Sequence, residues 1–374
     1  MRKTALLLLL VSLSFLFFDC GIFGKKQDAS DSTDSNKEAG IEEKKSEPEL
    51  YPFVLNNKFG FKDKTGRIVV NPQFDGFGDF SEGLACVVVG KEPPYECGYI
   101  DSTGNYVITP QFSLASDFKE GLAAVRIGDE TSGKWGYIDK SGKFVINPQF
   151  VDAYAFSEGL ARVGVGDKWG FIDKSGSYAI NPQFEAAWPF SEGMALIRVG
   201  DTYTGKYGYI DKTGKIVINP QFNMAAPFSK EGLALVQVDG DSIPGKWGYI
   251  DKKGTFAISP QFDAAWNFSE GLARIFVGNL ATVDGKFGYI DKTGKIVINP
   301  QFESAFDFSE GLARIIVDNK YGYIDKTGKI VINPQFHTAT PFINGLAVVG
   351  IGDKESKKYG YIDKTGKLLF MYNE

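Results

Sequence analysis

The sequence predicts an all-β protein: about nine tandem β-meander repeats of 34–40 residues, closed into a propeller-like ring or, as the alternative, stacked as an open β-solenoid. Three observations predict it. The fifteen residues GYIDKTGKIVINPQF at Gly208–Phe222 return unchanged at Gly288–Phe302 and Gly322–Phe336. A marker residue followed by glycine recurs at Phe59, Cys97, Trp135, Trp169, Tyr207, Trp247, Phe287, Tyr321 and Tyr359, spaced 34, 38 or 40 residues apart; a fixed period of this length signals a repeat architecture. Aromatic residues make up 14% of the chain and glycine contributes 44 residues, which suits strands joined by tight turns.

The unit Leu160–Glu192 shows how each element arises. LARV (160–163) and KWGFID (168–173) are short β-type runs joined by a glycine-containing turn. DKSG or DKTG then reverses the chain into a third run such as KIVI. Aspartate at the first turn position caps backbone amides, and glycine takes the positive φ. The proline of NPQF cannot donate to a ladder and is expected to end the third strand. QFEAAWPFSEG (183–193) is expected to add a short fourth strand before the next turn. The runs are apolar on both faces, so both faces must be covered. One meander is too small to stand alone, and neighbouring units therefore pack face to face. The body begins with YPFVL and ends with KLLFMYNE. Neither is the polar cap that an open stack requires, which favours closure.

The triplets Lys134-Trp135-Gly136, Lys168-Trp169-Gly170 and Lys246-Trp247-Gly248, each followed by Tyr/Phe-Ile-Asp, resemble the WG (KWG) repeat of bacterial proteins. The resemblance covers about Tyr51–Phe370. It implies a β-repeat body, often on exported or surface proteins, with no enzymatic activity and no defined ligand.

Residues 1–19 read as a signal peptide: Arg2 and Lys3, then an apolar run through Phe18 that is short for a membrane span. Cys20 follows directly, and this resembles the lipobox of bacterial lipoproteins, with Phe18 and Asp19 where small residues are usual. The resemblance implies a lipid on Cys20, an exported protein held at a bacterial membrane, periplasmic or at the cell surface. Residues 20–50 form a flexible charged tether too polar to offset the entropy of ordering. Residues 51–374 are the repeat domain.

A net charge of −5 excludes the basic footprint of nucleic-acid binding. The chain has one histidine, His337, and its three cysteines lack zinc-ligand spacing. Neither metal site nor cofactor is expected. An aspartate recurs in every unit, from Asp63 to Asp363, and each is read as a turn cap, because calcium needs several oxygens converging on one point. The repeated glutamate of SEG, Glu82 among others, is read as structural. Trp135, Trp169 and Trp247 are expected in the core. Trp188 and Trp266 occupy the connecting segment and are either packed beneath it or free to contact a ligand, a glycan above all. Cys86 and Cys97 lie on adjacent strands of one hairpin, either as a disulfide or as two buried thiols.

The hairpin loops vary most: GKEPPYE (90–96), GDETSGK (128–134), GDTYTGK (200–206), DGDSIPGK (239–246), GNLATVDGK (278–286) and GDKESKK (352–358), against two-residue turns at 166–167 and 318–319. Rigid scaffolds place specificity on such loops. The sequence thus predicts a non-enzymatic, membrane-anchored interaction scaffold, with protein binding through the loops or, as the alternative, glycan or cell-wall binding through exposed aromatics. It names neither the protein partner nor the polysaccharide.

Overall fold

Antiparallel hairpins repeat from Leu50 to Asn373, with no helix among the described residues. The structure, a computed structural model, describes residues 50–90, 94–129, 131–238, 245–279, 284–352 and 358–373. The signal segment and Cys20 lie outside them, as does the tether up to residue 49. Leu50, assigned above to the tether, opens the first strand.

Nine sheets follow one another along the chain. The first has three strands: β1 (Leu50–Leu55), β2 (Lys58–Asp63) and β3 (Ile68–Phe74). The second has four: β4 (Gly76–Phe77), β5 (Ala85–Val89), β6 (Glu96–Ile100) and β7 (Tyr106–Phe112). Six more four-stranded sheets, β8–β31, span residues 114–150, 152–184, 186–222, 224–262, 264–302 and 304–336. The last holds β32 (Thr338–Ala339), β33 (Leu346–Ile351), β34 (Lys358–Asp363) and β35 (Leu368–Asn373). Neighbouring strands are antiparallel and in sequence order. The sheets are the blades of a nine-bladed β-propeller ring: β1 of the first blade lies against β35 of the last, and Tyr51, Leu346 and Tyr361 share one apolar cluster. The open solenoid is thereby set aside.

Two expectations about the repeat need correction. The short segment after NPQF does not complete the sheet before it. It pairs with the strand that follows, as Ala186 opposite Arg198 and Ala187 opposite Ile197, and so opens the next blade. Nor does proline end the third run. β7 continues to Phe112 through a bulge in which Gly98 alone faces Thr109, Pro110 and Gln111. Proline is tolerated in a bulge because no ladder bond is required of it there. The bulge also explains the glycine after each of the first eight markers. A Cβ on Gly208 would lie 2.6 Å from both Ile218 O and Pro220 N, and Gly98, Gly136 and Gly288 meet the same backbone at similar distances.

The cores lie between blades. One cluster joins Leu196, Tyr209, Ile218 and Phe222 of the fifth blade to Phe228, Val236 and Ile250 of the sixth. Polar ties cross the same interfaces. The Tyr209 hydroxyl donates to Ala226 O at 2.8 Å, and Ser191 Oγ to Phe228 O at 2.7 Å. Glu158 Oε2 accepts from Gly193 N at 3.0 Å and pairs with Lys212 at 3.2 Å.

Candidate functional site

Meander connectivity sorts the connections onto two faces of the ring. The turns carrying SEG and DKTG share one face. The long hairpin loops share the other with the crossovers between blades. The first face is uniform. Asp211 Oδ1 accepts Thr213 N at 2.9 Å, Thr213 Oγ1 at 2.6 Å and Lys215 N at 3.1 Å, so the repeated aspartates are turn caps as expected. The Thr65 hydroxyl holds Asp63 down to a pKa of about 2, with help from the Arg67 side chain. The Thr213 hydroxyl likewise lowers Asp211. The SEG glutamates adopt positive φ, Glu158 at 54°, and reach into the next blade.

The second face is variable and carries the candidate site. Its best-defined loop spans 200–206. Asp201 Oδ1 accepts Tyr203 N and Thr204 N, both at 2.8 Å, and Oδ2 accepts the Thr204 hydroxyl; this hydroxyl, followed by the two amides, lowers the Asp201 pKa to about 2. The capped backbone lifts Tyr203 to 96% exposure. An aromatic side chain held on a pre-organised backbone is an effective contact group, because little entropy remains to be lost. The loop at 128–133 repeats the cap: Asp129 Oδ1 accepts Thr131 N at 2.9 Å and Ser132 N at 2.7 Å. Around these loops the strand ends expose Val89, Ile127, Val165, Val199 and Val277. Loop residues 91–93, 130, 239–244, 280–283 and 353–357 lie outside the described residues.

Where the two-residue turn Asn56–Asn57 adjoins the longer loop from Gly90, an open cleft of about 410 Å³ is lined by Asn57, Asp75, Val88, Gly90 and Tyr95. Asp75 is fixed there by Lys58 Nζ at 2.7 Å and Gly90 N at 3.0 Å.

Other candidates are placed as follows. Trp247 is buried, while Trp135 and Trp169 are half-buried against inter-blade clusters. Trp188 is half-buried and tilted against Tyr207 at 5.6 Å. Trp266 lies 5.6 Å from Phe287, with the Arg274 guanidinium 4.0 Å over its ring. Both are built into stacks within the fold. Cys86 and Cys97 are buried, unbridged thiols. Cys86 faces Tyr99 and Cys97 faces Val88, so the two stand diagonally across the hairpin rather than directly opposite each other. The hydrogen bond with Cys97 and burial push the Cys86 thiol well above its ordinary pKa, which leaves it inert. His337 is half-buried, its ring edge-on to Tyr359 at 6.1 Å. Among the described residues no group of three or more His, Cys, Asp or Glu could hold a metal ion.

Sequence reasoning missed Tyr203, one letter in a polar loop. It also missed Tyr51 and Lys62, which break the repeat pattern where the other units carry alanine and isoleucine.

In solved structures the fold is similar to that of a eukaryotic initiation factor, 12% identical, with a TM-score of 0.60 over 87% of this chain and 96% of that one. The β-propeller domain of the Trilobed protease from Pyrococcus furiosus is 10% identical, with a TM-score of 0.42 over 81% and 100% of the two chains. TolB from Acinetobacter baumannii is 11% identical, with a TM-score of 0.31 over 66% and 78%. The first likeness speaks for the fold alone, and the other two carry no argument. No curated protein matches the sequence. Eight copies of one repeat do match, at residues 59–92, 98–130, 135–169, 169–203, 207–240, 247–280, 287–321 and 321–354, and on that coverage the chain belongs to the WG containing repeat family.

Proposed function

We infer that the protein is a non-enzymatic, lipid-anchored scaffold of the bacterial cell envelope that binds a protein partner through its loop face. One observation carries the reading: the two faces of the ring divide labour. The SEG and DKTG turns direct their polar groups to their own caps and to neighbouring blades, while the loops that differ in length and content share the opposite face with Tyr203. The anchor fits this division. Leu50 pairs with Asp63, the aspartate of a DKTG turn, so the chain before it leaves from the uniform face. A lipid on Cys20 would then hold that face toward the membrane. The residues between Cys20 and Leu50, read above as a tether, would span roughly 30 Å as a random coil, enough to present the loops outward.

The test has two parts. Cys20→Ser should release the protein from membranes; a variant that stays bound removes the lipid anchor from the reading. With a partner in hand, replacing loops 128–134 and 278–286 by two-residue turns and Tyr203 by alanine should abolish binding without loss of folding. Retained binding overturns the loop-face reading.

A polysaccharide ligand is favoured by one observation, the cleft at Tyr95, which sets an aromatic ring beside Asn57 and Asp75. That reading moves from Trp188 and Trp266, whose rings are engaged in stacks, to Tyr95. Tyr95→Ala should then lose polysaccharide retention, while Trp188→Ala with Trp266→Ala should lower the melting temperature.

A further inference from the structure

Eight blades are opened by a short segment of one chemistry. In seven of them a small residue is followed, three positions on, by phenylalanine, as Ala225 by Phe228 and Ala305 by Phe308, and in the second blade Phe77 holds the small residue's place before Phe80. The phenylalanine packs on an aromatic ring of the preceding blade: Tyr209–Phe228 at 4.9 Å, Tyr289–Phe308 at 5.0 Å. The backbone between them donates to the neighbouring strand, Ala226 N to Leu235 O at 2.9 Å. The carbonyl of the same residue accepts the preceding tyrosine, Tyr209 OH to Ala226 O at 2.8 Å.

The first blade has no such segment among the described residues. Among the described residues β1 has β2 on one side and no strand on the other. Its slot is filled from within. Where the other eight blades bury an alanine at 0–1% exposure, β1 carries Tyr51. The Tyr51 ring meets Tyr361 edge-on at 5.6 Å, in the place of the phenylalanine, and its hydroxyl donates to Asn344 O at 2.9 Å. The Tyr361 hydroxyl, with no short-segment carbonyl to reach, donates to Pro52 O at 2.5 Å.

Pro52 leaves the edge competent. In intact blades the residue at this position engages the short segment through its carbonyl, as Leu235 and Ala124 do. Its N–H can turn to a side-chain hydroxyl instead, as Ala124 N does to Ser116 Oγ at 3.0 Å. Val54 stands where Val88 accepts Asp75 N at 2.9 Å.

We propose that the β1 edge is a latent strand-accepting site, that Tyr51 is its built-in plug, and that its occupant is an extended segment of a partner protein with a small residue three positions before a phenylalanine. Strand addition at an exposed edge, with side-chain pockets setting specificity, is a general recognition mode. The site is separate from the loop face and survives loss of that reading.

The experiment titrates a labelled peptide of sequence SAFDFSEG, identical to residues 304–311, into the full chain and into Tyr51→Ala, read by fluorescence anisotropy. Tyr51→Ala should bind saturably and at least tenfold more tightly than the unaltered protein. A peptide with alanine in place of its second phenylalanine should not bind. Hydrogen exchange should show β1 gaining protection on binding, with the blades at 152–302 unchanged. A folded Tyr51→Ala protein that ignores the peptide, or takes both peptides alike, overturns the proposal. Tyr51→Leu, which keeps an apolar side chain at the seam, decides the matter in the same way if the alanine variant does not fold. Replacing loops 128–134 and 278–286 should leave peptide binding unchanged.

Discussion

Among the described residues, five polar side-chain contacts tie the eighth blade to the ninth. The Tyr323 hydroxyl donates to Thr340 O at 2.8 Å and Ser309 Oγ to Phe342 O at 2.7 Å. Arg314 donates to Ala339 O at 2.7 Å. Glu310 accepts from Gly345 N at 2.9 Å and pairs with Lys364 at 3.1 Å. From the ninth blade to the first, across the seam that closes the ring, the arrangement differs. Asn344 holds the glutamate's position at the same positive φ, and the first blade has no SEG turn to offer it a glycine amide. Ser102 replaces the turn lysine of the second blade, whose glutamate partner would have come from that missing turn. Lys62 replaces an isoleucine that is at most 1% exposed in the other eight blades. Its ammonium sits 4.4 Å over Phe53 and 5.5 Å from Phe370, and burial lowers its pKa. The difference teaches what the repeat is for. Each repeated residue answers a neighbouring blade, and where the neighbour lacks the matching group the residue changes.

The largest effect should come from the glycine after the marker. In Gly208→Ala the new methyl meets the backbone of Ile218 and Pro220, which cannot yield without breaking the bulge. The cost should be about 3 kcal/mol or more. In the last blade β35 lacks NPQF, and the nearest atom to a Cβ on Gly360 is the tip of the Leu368 side chain. Gly360→Ala should cost about 1 kcal/mol, since a flexible tip can move. Urea midpoints compare the two; equal losses would remove the bulge as the reason for the glycine.

Next come the tyrosine hydroxyls. Tyr209→Phe leaves Ala226 O without its donor in a buried interface and should cost about 1–2 kcal/mol. Tyr361→Phe deletes the same group at the seam, where Tyr51 still packs. It should act locally, raising hydrogen exchange in β1, β2 and β34 while leaving the fifth and sixth blades unchanged. Exchange rising evenly around the ring would show that the seam is no weaker than its counterparts.

Much of this was legible in the sequence, and the rest was hidden for physical reasons. Period, hairpins and turn caps follow from local chemistry, so Asp211, Thr213 and Gly214 announce their turn. Blade boundaries do not. One residue separates Phe184 from Ala186, and no turn signal marks the passage between sheets. The proline rule misled because it holds for ladders, and Pro182 lies in a bulge. Trp188 and Trp266 left packing and ligand contact open because their partners, Tyr207 and Arg274, lie on other strands. Tyr203 carries no pattern; only the capped loop beneath it makes it prominent.

Acid should act on seam and interior alike, because both carry capped aspartates. A carboxyl whose folded pKa lies below its unfolded value stabilises above the unfolded pKa and ceases to do so as pH falls through the folded one. For Asp63 that window runs from 3.8 to about 2, and hydrogen bonds to Thr213, Thr293 and Thr327 lower Asp211, Asp291 and Asp325 in the same direction. Melting temperature should therefore fall steeply below pH 4. Asn at positions 211, 291 and 325 should lower it at pH 6 and flatten the acid limb. Hydrogen exchange that opened the seam alone in acid would show that the caps are not the cause.

The smallest effect isolates the charge pairs. Lys212 pairs with Glu158 at 3.2 Å, with side chains 45% and 30% exposed. Water and salt screen such a pair, so Lys212→Met should cost about 0.5 kcal/mol at low salt and less at high salt. Lys64 occupies the same turn position in the first blade, where the preceding blade offers Asn344 in place of glutamate. Lys64→Met should therefore be neutral at any salt. Restoring the partner with Asn344→Glu should make Lys64 worth about as much as Lys212, which a double-mutant cycle on Lys64 and residue 344 would measure. A coupling near zero would mean that the seam holds the two residues apart, and that the repeat changed there because the geometry had already changed.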